Sequence, residues 1–124
     1  MFDDIKVLSI ASAMARHAAQ RHEVISENVA NADTPGYRAR DVEDFGEAFA
    51  RFQATFSAEE NDAISNDAWR VLQDTGFGAQ SPNGNTVSLE DQMIRSAEAQ
   101  GEHEMAVTIY RKALDIMRVS LGRR

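Results

Sequence analysis

The sequence contains no cysteine, which excludes disulfide staples and thiolate metal sites. Aromatic residues are scarce, 7% of 124 residues against 43% hydrophobic overall, so the apolar side chains are mostly Ala, Val, Ile, Leu and Met. Such a chain fills a single compact core thinly. No apolar run approaches the roughly 18 residues of a membrane-spanning helix. The opening Met1-Phe2-Asp3-Asp4 lacks the basic region of a cleaved secretory leader. The expectation is neither a cleaved secretory precursor nor an integral membrane protein. A basic stripe able to displace phosphate counterions is also missing. Bases cluster only in the tail, at Arg111, Lys112, Arg118, Arg123 and Arg124, which argues against nucleic-acid binding.

The charge that is present is unevenly placed. Residues 1–40 carry five acids and five bases and residues 87–124 carry six of each, so the net charge of -7 resides in residues 41–86. There nine acids (Asp41, Glu43, Asp44, Glu47, Glu59, Glu60, Asp62, Asp67, Asp74) face only Arg51 and Arg70. This pattern predicts a solvated acidic lobe joined to neutral arms.

Residues 4–31 are rich in Ala and free of Gly and Pro, which predicts a helix of about 28 residues and roughly 42 Å, capped by Asp3 or Asp4. A 3-4 stripe runs through Leu8, Ala11, Ala15, Ala18, His22, Ile25, Val29 and Ala32, a coiled-coil-like seam whose small residues allow close approach of several helices. Pro35 bars helix from the residue before it, and Thr34-Pro35-Gly36-Tyr37 reads as a type II turn with Gly36 at positive φ. Phe45, Phe49, Phe52 and Phe56 then recur on one face of a short helix starting near Asp44, a satellite core. Residues 57–86 read as loop around one apolar patch, Trp69-Arg70-Val71-Leu72, with a short strand or helical turn.

Ser88-Leu89-Glu90-Asp91 fits a capping box opening a second long helix, of about 34 residues and roughly 50 Å. Its expected seam is Leu89, Met93, Ser96, Gln100, His103, Val107, Tyr110, Leu114, Met117 and Leu121, apolar in its second half. Gly101 interrupts it, as a bend or a close backbone approach. The fold class is therefore mainly all-α: two long terminal helices packed as a coiled-coil-like arm, with a short helix and an irregular loop lobe between them. The expected divisions are 1–33, 34–87 and 88–124.

A search for chemistry finds none. His17 and His22 lie about 140° apart around a helix and cannot share a metal, and His103 has no cysteine near it. The neighbouring acids Asp3/Asp4, Glu59/Glu60 and Glu90/Asp91 diverge from one another and read as caps and solvated charge. Gly76-Phe77-Gly78 and Asn83-Gly84-Asn85 lack the strand and helix that a phosphate loop needs and read as turns. No serine or threonine sits in a nucleophile context. The chain is expected to be no enzyme and to hold no cofactor.

One segment carries more information: Ile25-Ser26-Glu27-Asn28-Val29-Ala30-Asn31-Ala32-Asp33-Thr34-Pro35-Gly36-Tyr37-Arg38-Ala39-Arg40-Asp41-Val42. It resembles the N-terminal signature of the flagellar axial proteins of rod, hook and hook junction. The Ala-Asp-Thr-Pro-Gly-Tyr form, with Asp44-Phe45 following, and Gly84-Asn85-Thr86-Val87-Ser88-Leu89-Glu90-Asp91-Gln92-Met93 further on, are similar to the short proximal-rod members. The two matches cover roughly residues 8–45 and 84–121. Ile109-Tyr110-Arg111-Lys112-Ala113-Leu114 departs from the C-terminal pattern of the other axial members. The resemblance implies a structural subunit exported unfolded by the flagellar type III apparatus and assembled in the periplasmic drive shaft. Its terminal helices would form an inner tube and its acidic middle would lie further out. Implied partners are other rod proteins, further copies of itself, and the adaptor between rod and membrane ring, with no nucleic acid and no membrane insertion. The implied assembly motif is Asn28, Asn31, Thr34, Pro35, Gly36 and Tyr37. A cytoplasmic helical-hairpin adaptor or chaperone using the same seams is the alternative.

Overall fold

In the computed structural model, residues 2–56, 69–73 and 80–122 are described, with the side chains of Phe2 and of residues 52–56 left aside. The elements are α1 (Phe2–Ala30), β1 (Asp41–Val42), α2 (Phe45–Phe56), β2 (Val71–Leu72) and α3 (Leu89–Leu121). The expected loop over 57–68 and 74–79, including Glu59, Glu60 and Gly76-Phe77-Gly78, lies outside the described residues.

α1 has no residue that breaks a helix, and Asp3 and Asp4 lie in its first turn, where carboxylates favour the helix dipole. It tightens and stops as Asn31 N–H reaches the carbonyls of Glu27 (3.1 Å) and Asn28 (3.2 Å), four residues before Pro35. α3 opens as the capping box predicts, with the Ser88 hydroxyl accepting from Asp91 N–H. It then runs unbroken through Gly101, which is exposed, and a Cβ added there would meet nothing within 4 Å. Neither a bend nor a close approach within the chain explains that glycine.

α1 and α3 pack antiparallel, since Asn28 reaches Gln92, Arg21 reaches Glu98, and His17 faces Glu102. The contact on α3 is not the expected seam. Gln92, Arg95, Ala99, Ala106 and Ala113 are buried, a heptad-spaced line one position earlier. On α1, Ala11, Ala18 and Ile25 of the expected stripe are buried and Leu8 and Ala15 half-buried, while Val29 is 46% exposed. On α3, Val107, Leu114 and Met117 are half-buried; Met93 (72%), Tyr110 (40%) and Leu121 (67%) are exposed. His103 is exposed as well. The physical reason is that alanine lets the two backbones approach, so the close line consists of small and polar residues and the larger apolar ones flank it.

The lobe docks on α1 through a small core of Ala13, Val24, Val42, Ala48 and Trp69, with Phe45 against it. Asp44 caps α2 by accepting from Gly46 N–H (3.1 Å), and Phe45 stacks on Phe49 at 5.9 Å. Phe52 and Phe56, the rest of that expected stripe, have side chains outside the described set. Trp69 is buried edge-on against His17, with centroids 5.0 Å apart. The residues after it form β2, paired antiparallel with β1 in the register Asp41 to Leu72 and Val42 to Val71. The strand at 71–72 meets the expectation for that patch; its partner at 41–42 was not foreseen. No helix is long and apolar enough to cross a membrane among the described residues.

Candidate functional site

Where the turn after α1 meets the segment entering α3, the two stretches that stood out in the sequence close on each other. Gly36 has φ +74°, as a type II turn requires, and Tyr37 N–H reaches the Thr34 carbonyl at 3.2 Å. Gly36 N–H donates to the Asn83 carbonyl (2.9 Å), and Thr86 N–H donates to the Tyr37 carbonyl (3.0 Å). The Asn85 amide, almost wholly buried, donates to the carbonyls of Asn31 and Thr34, both at 2.8 Å, and its oxygen accepts from Val87 N–H. Thr86 Oγ1 accepts from Ala39 N–H (2.8 Å). We call this arrangement the clasp.

Asn28 is its inner pin. Fully buried, it donates from Nδ2 to the Arg40 carbonyl (2.6 Å) and to Gln92 Oε1 (3.0 Å). Its Oδ1 accepts from the Tyr37 hydroxyl and from Arg40 N–H, each at 3.1 Å. One side chain thereby joins α1, the turn and α3 with its full hydrogen-bonding capacity, which makes its burial affordable only with every partner present. Asn31 donates to the Glu27 carbonyl and accepts from Thr34 Oγ1; Thr34, Pro35 and Gly36 are exposed on the outside of the clasp. The structure thus brings Asn28, Asn31, Thr34, Pro35, Gly36 and Tyr37 together. It adds Gly84, Asn85, Thr86 and Gln92, which no local pattern singled out.

Below the clasp lies an ion network. Asp41, expected in solvent, is buried; it accepts from Arg95 Nη1 (2.8 Å) and from Arg21 Nε (3.2 Å). Arg95 also meets Asp91 at 2.9 Å, and Arg21 meets Glu98 (3.1 Å) and Glu102 (3.4 Å). Burial works against the charge of Arg21, yet the attraction of Asp41, Glu98 and Glu102 outweighs it and holds the guanidinium more firmly protonated than usual. Glu43 is likewise buried and not solvated. It takes both Arg51 amino groups (2.7 and 2.8 Å) and Arg70 N–H (2.8 Å). The Arg51 bonds hold its carboxyl below the ordinary range against the opposing effect of burial, with Arg70 N–H helping. His17 donates from Nε2 to the Glu43 carbonyl at 2.6 Å, so its ring is committed to joining α1 and the lobe. Among the described residues no cluster of His, Asp or Glu is placed to hold a metal. The arrangement does no bond chemistry; it fixes the angle and register of two long helices.

A helix pair held at a Thr-Pro-Gly-Tyr turn, with structural contacts in place of a reaction centre, defines a flagellar rod protein, and a family model for flagella basal body rod proteins matches residues 9–38. Those residues are most of α1 and the turn. The relatives narrow the class. The flagellar basal body rod protein FlgB of Salmonella typhimurium is 30% identical over 105 residues, 73% of this chain and 75% of that protein. FlgB of Aeromonas hydrophila is 37% identical over 87 residues, 60% of this chain and 61% of its own. FlgB of Agrobacterium fabrum is 26% identical over 127 residues, 96% and 95% of the two chains. The chain belongs to the FlgB family: it is a structural subunit of the flagellar basal body rod, not an enzyme, and it assembles with other rod proteins.

Proposed function

We propose that this subunit sits in the proximal, periplasmic part of the rod, with arms 1–33 and 88–124 as inner-tube wall and the segment 34–87 carried outside it. It travels unfolded through the flagellar type III apparatus without a cleaved signal peptide. Its neighbours are further copies of itself, other rod chains and the adaptor that joins rod to membrane ring. The observation carrying this reading is the apolar stripe left uncovered on one side of the helix pair. His22, Ile25, Ser26, Val29, Ala30, Gln92, Met93 and Ser96 line an open groove there, and Tyr110, Leu114, Met117 and Leu121 continue along α3. These are the larger seam residues that the intrachain contact does not use, so they are the surface for neighbouring helices and form the helix-packing part of the site. Asn28, Asn31, Thr34, Pro35, Gly36 and Tyr37 act by setting the angle at which that surface is presented.

Leu114→Asp tests the reading. Placing an unpaired charge in a packed apolar contact costs several kcal/mol. Export into the periplasm should continue, while isolated basal bodies should lack the subunit and cells should not swim. Normal motility would remove α3 from the packing surface and favour a helical-hairpin adaptor instead.

A further inference from the structure

The outward face of α3 carries a charge order that neither the fold nor the apolar stripe uses. Glu90, Glu104, Arg111 and Arg118 share one heptad-spaced line, with Ala97 filling the gap, and all are exposed. The line is acidic toward the clasp and basic toward the open end of the helix pair. The helix dipole favours Glu90 in the first turn and Arg118 in the last, but it fades within a turn of each end and leaves Glu104 and Arg111 unexplained. Arg118 approaches Asp115 only at 3.9 Å, with both side chains mostly in solvent. Lys112 adds to the basic half, and Leu89, Met93, Tyr110 and Leu121 are exposed beside the line.

We propose that the occupant of this face is a second copy of the chain, parallel and shifted along the helix axis, so that the basic half of one α3 lies against the acidic half of the next. This rests on the rod-subunit reading above and specifies its geometry. A parallel copy without a shift sets Glu90 beside Glu90 and Arg111 beside Arg111, which repel. A shift of two to three heptads, roughly 20–30 Å, brings the centres of opposite charge together. An antiparallel pair also matches charges but uses the same patch twice and closes at two copies, whereas the shifted contact leaves a free patch on each copy and propagates, as a rod requires.

The test uses the purified full chain, Arg111→Glu/Arg118→Glu, Glu90→Lys/Glu104→Lys, and their equimolar mixture, followed by sedimentation velocity. The wild type should form species larger than dimers, with an association constant that falls about tenfold or more between about 50 and about 300 mM salt. Each reversed variant alone should stay monomeric, and the mixture should associate again, which also shows that both variants are folded. Association that stops at dimers, that ignores salt and reversal, that is not restored on mixing, or that never appears in the wild type overturns the proposal. Basal bodies separate this from the reading beneath it. Reversed variants that incorporate while Leu114→Asp does not remove the charge order alone; incorporation of Leu114→Asp as well removes the packing surface itself.

Discussion

Gly36 and Gly84 meet back to back at the centre of the clasp, with φ +74° and +87°. Both need glycine for backbone reasons, but only one lacks space. A Cβ on Gly84 would lie 3.3 Å from Gly36 Cα, whereas a Cβ on Gly36 meets nothing within 4 Å. Gly36→Ala should therefore cost about 1 kcal/mol from strain alone, and Gly84→Ala about 2–3 kcal/mol, since backbone must also move. Thermal unfolding followed by circular dichroism ranks the two; an equal loss would mean that the two turns are not in contact. Gly36→Asn should be milder than Gly36→Val, because Asn tolerates a left-handed backbone and a β-branched residue does not. Asp41 is the other sensitive residue. Asp41→Ala would leave two guanidinium groups, on side chains 12% and 9% exposed, without their shared carboxylate. A loss of about 3–5 kcal/mol in denaturant unfolding is expected. A loss below about 1 kcal/mol would show that solvent already screens the network.

At the scale of elements, the lobe hangs from α1 by Trp69, the two short strands and Glu43. The folded Glu43 carboxyl titrates below its ordinary value of 4.5, so the stability it contributes is complete above that pH and is lost as the pH falls through the lowered folded value. Trp69 is the single tryptophan and adjoins Arg70, whose N–H binds Glu43, so its fluorescence reports the tether. Acidification below pH 4.5 should expose Trp69 in the wild type. Glu43→Gln, which cannot ionise, should lack that component; identical titrations would place the acid step elsewhere. The elements themselves were readable from local rules: an alanine-rich helix without breakers, a capping box at Ser88, a Pro-Gly turn. The burial of Asp41 and Glu43 was not, because pairing with Arg21, Arg95 and Arg51 joins residues 20, 54 and 8 positions apart and leaves no periodic trace. Counting acids sees charge but not the partner that takes it out of water. The α3 register was missed by one position for a related reason: reading the largest apolar residues as the contact finds the side facing neighbours, while alanines and polar groups mark the side facing α1.

The whole molecule is unevenly built. Its buried polar pins, Asn28, Asn85, Gln92 and Arg95, all lie near the clasp, whereas the far half of α3 buries only Ala106 and Ala113, and no residue among 3–10 of α1 is buried. Alanine contributes little transfer energy, and long helices owe their stability mainly to packing. Hydrogen exchange on the isolated chain should show protection over about residues 21–30 and 89–99 that decays toward 3–10 and 107–121. Even protection along both helices would mean that the open end needs no neighbour to fold.

The double closure at the clasp and at β1–β2 has a further effect. Glu43 N–H meets the Arg70 carbonyl at 2.8 Å, so the chain between them leaves and returns at one point. Nothing in the helix pair measures how long that excursion is, and doubling a flexible loop adds only about 0.6 kcal/mol. The arms act as a standard fitting and the lobe as an interchangeable head, which allows lobes of quite different size to be mounted on one common stem.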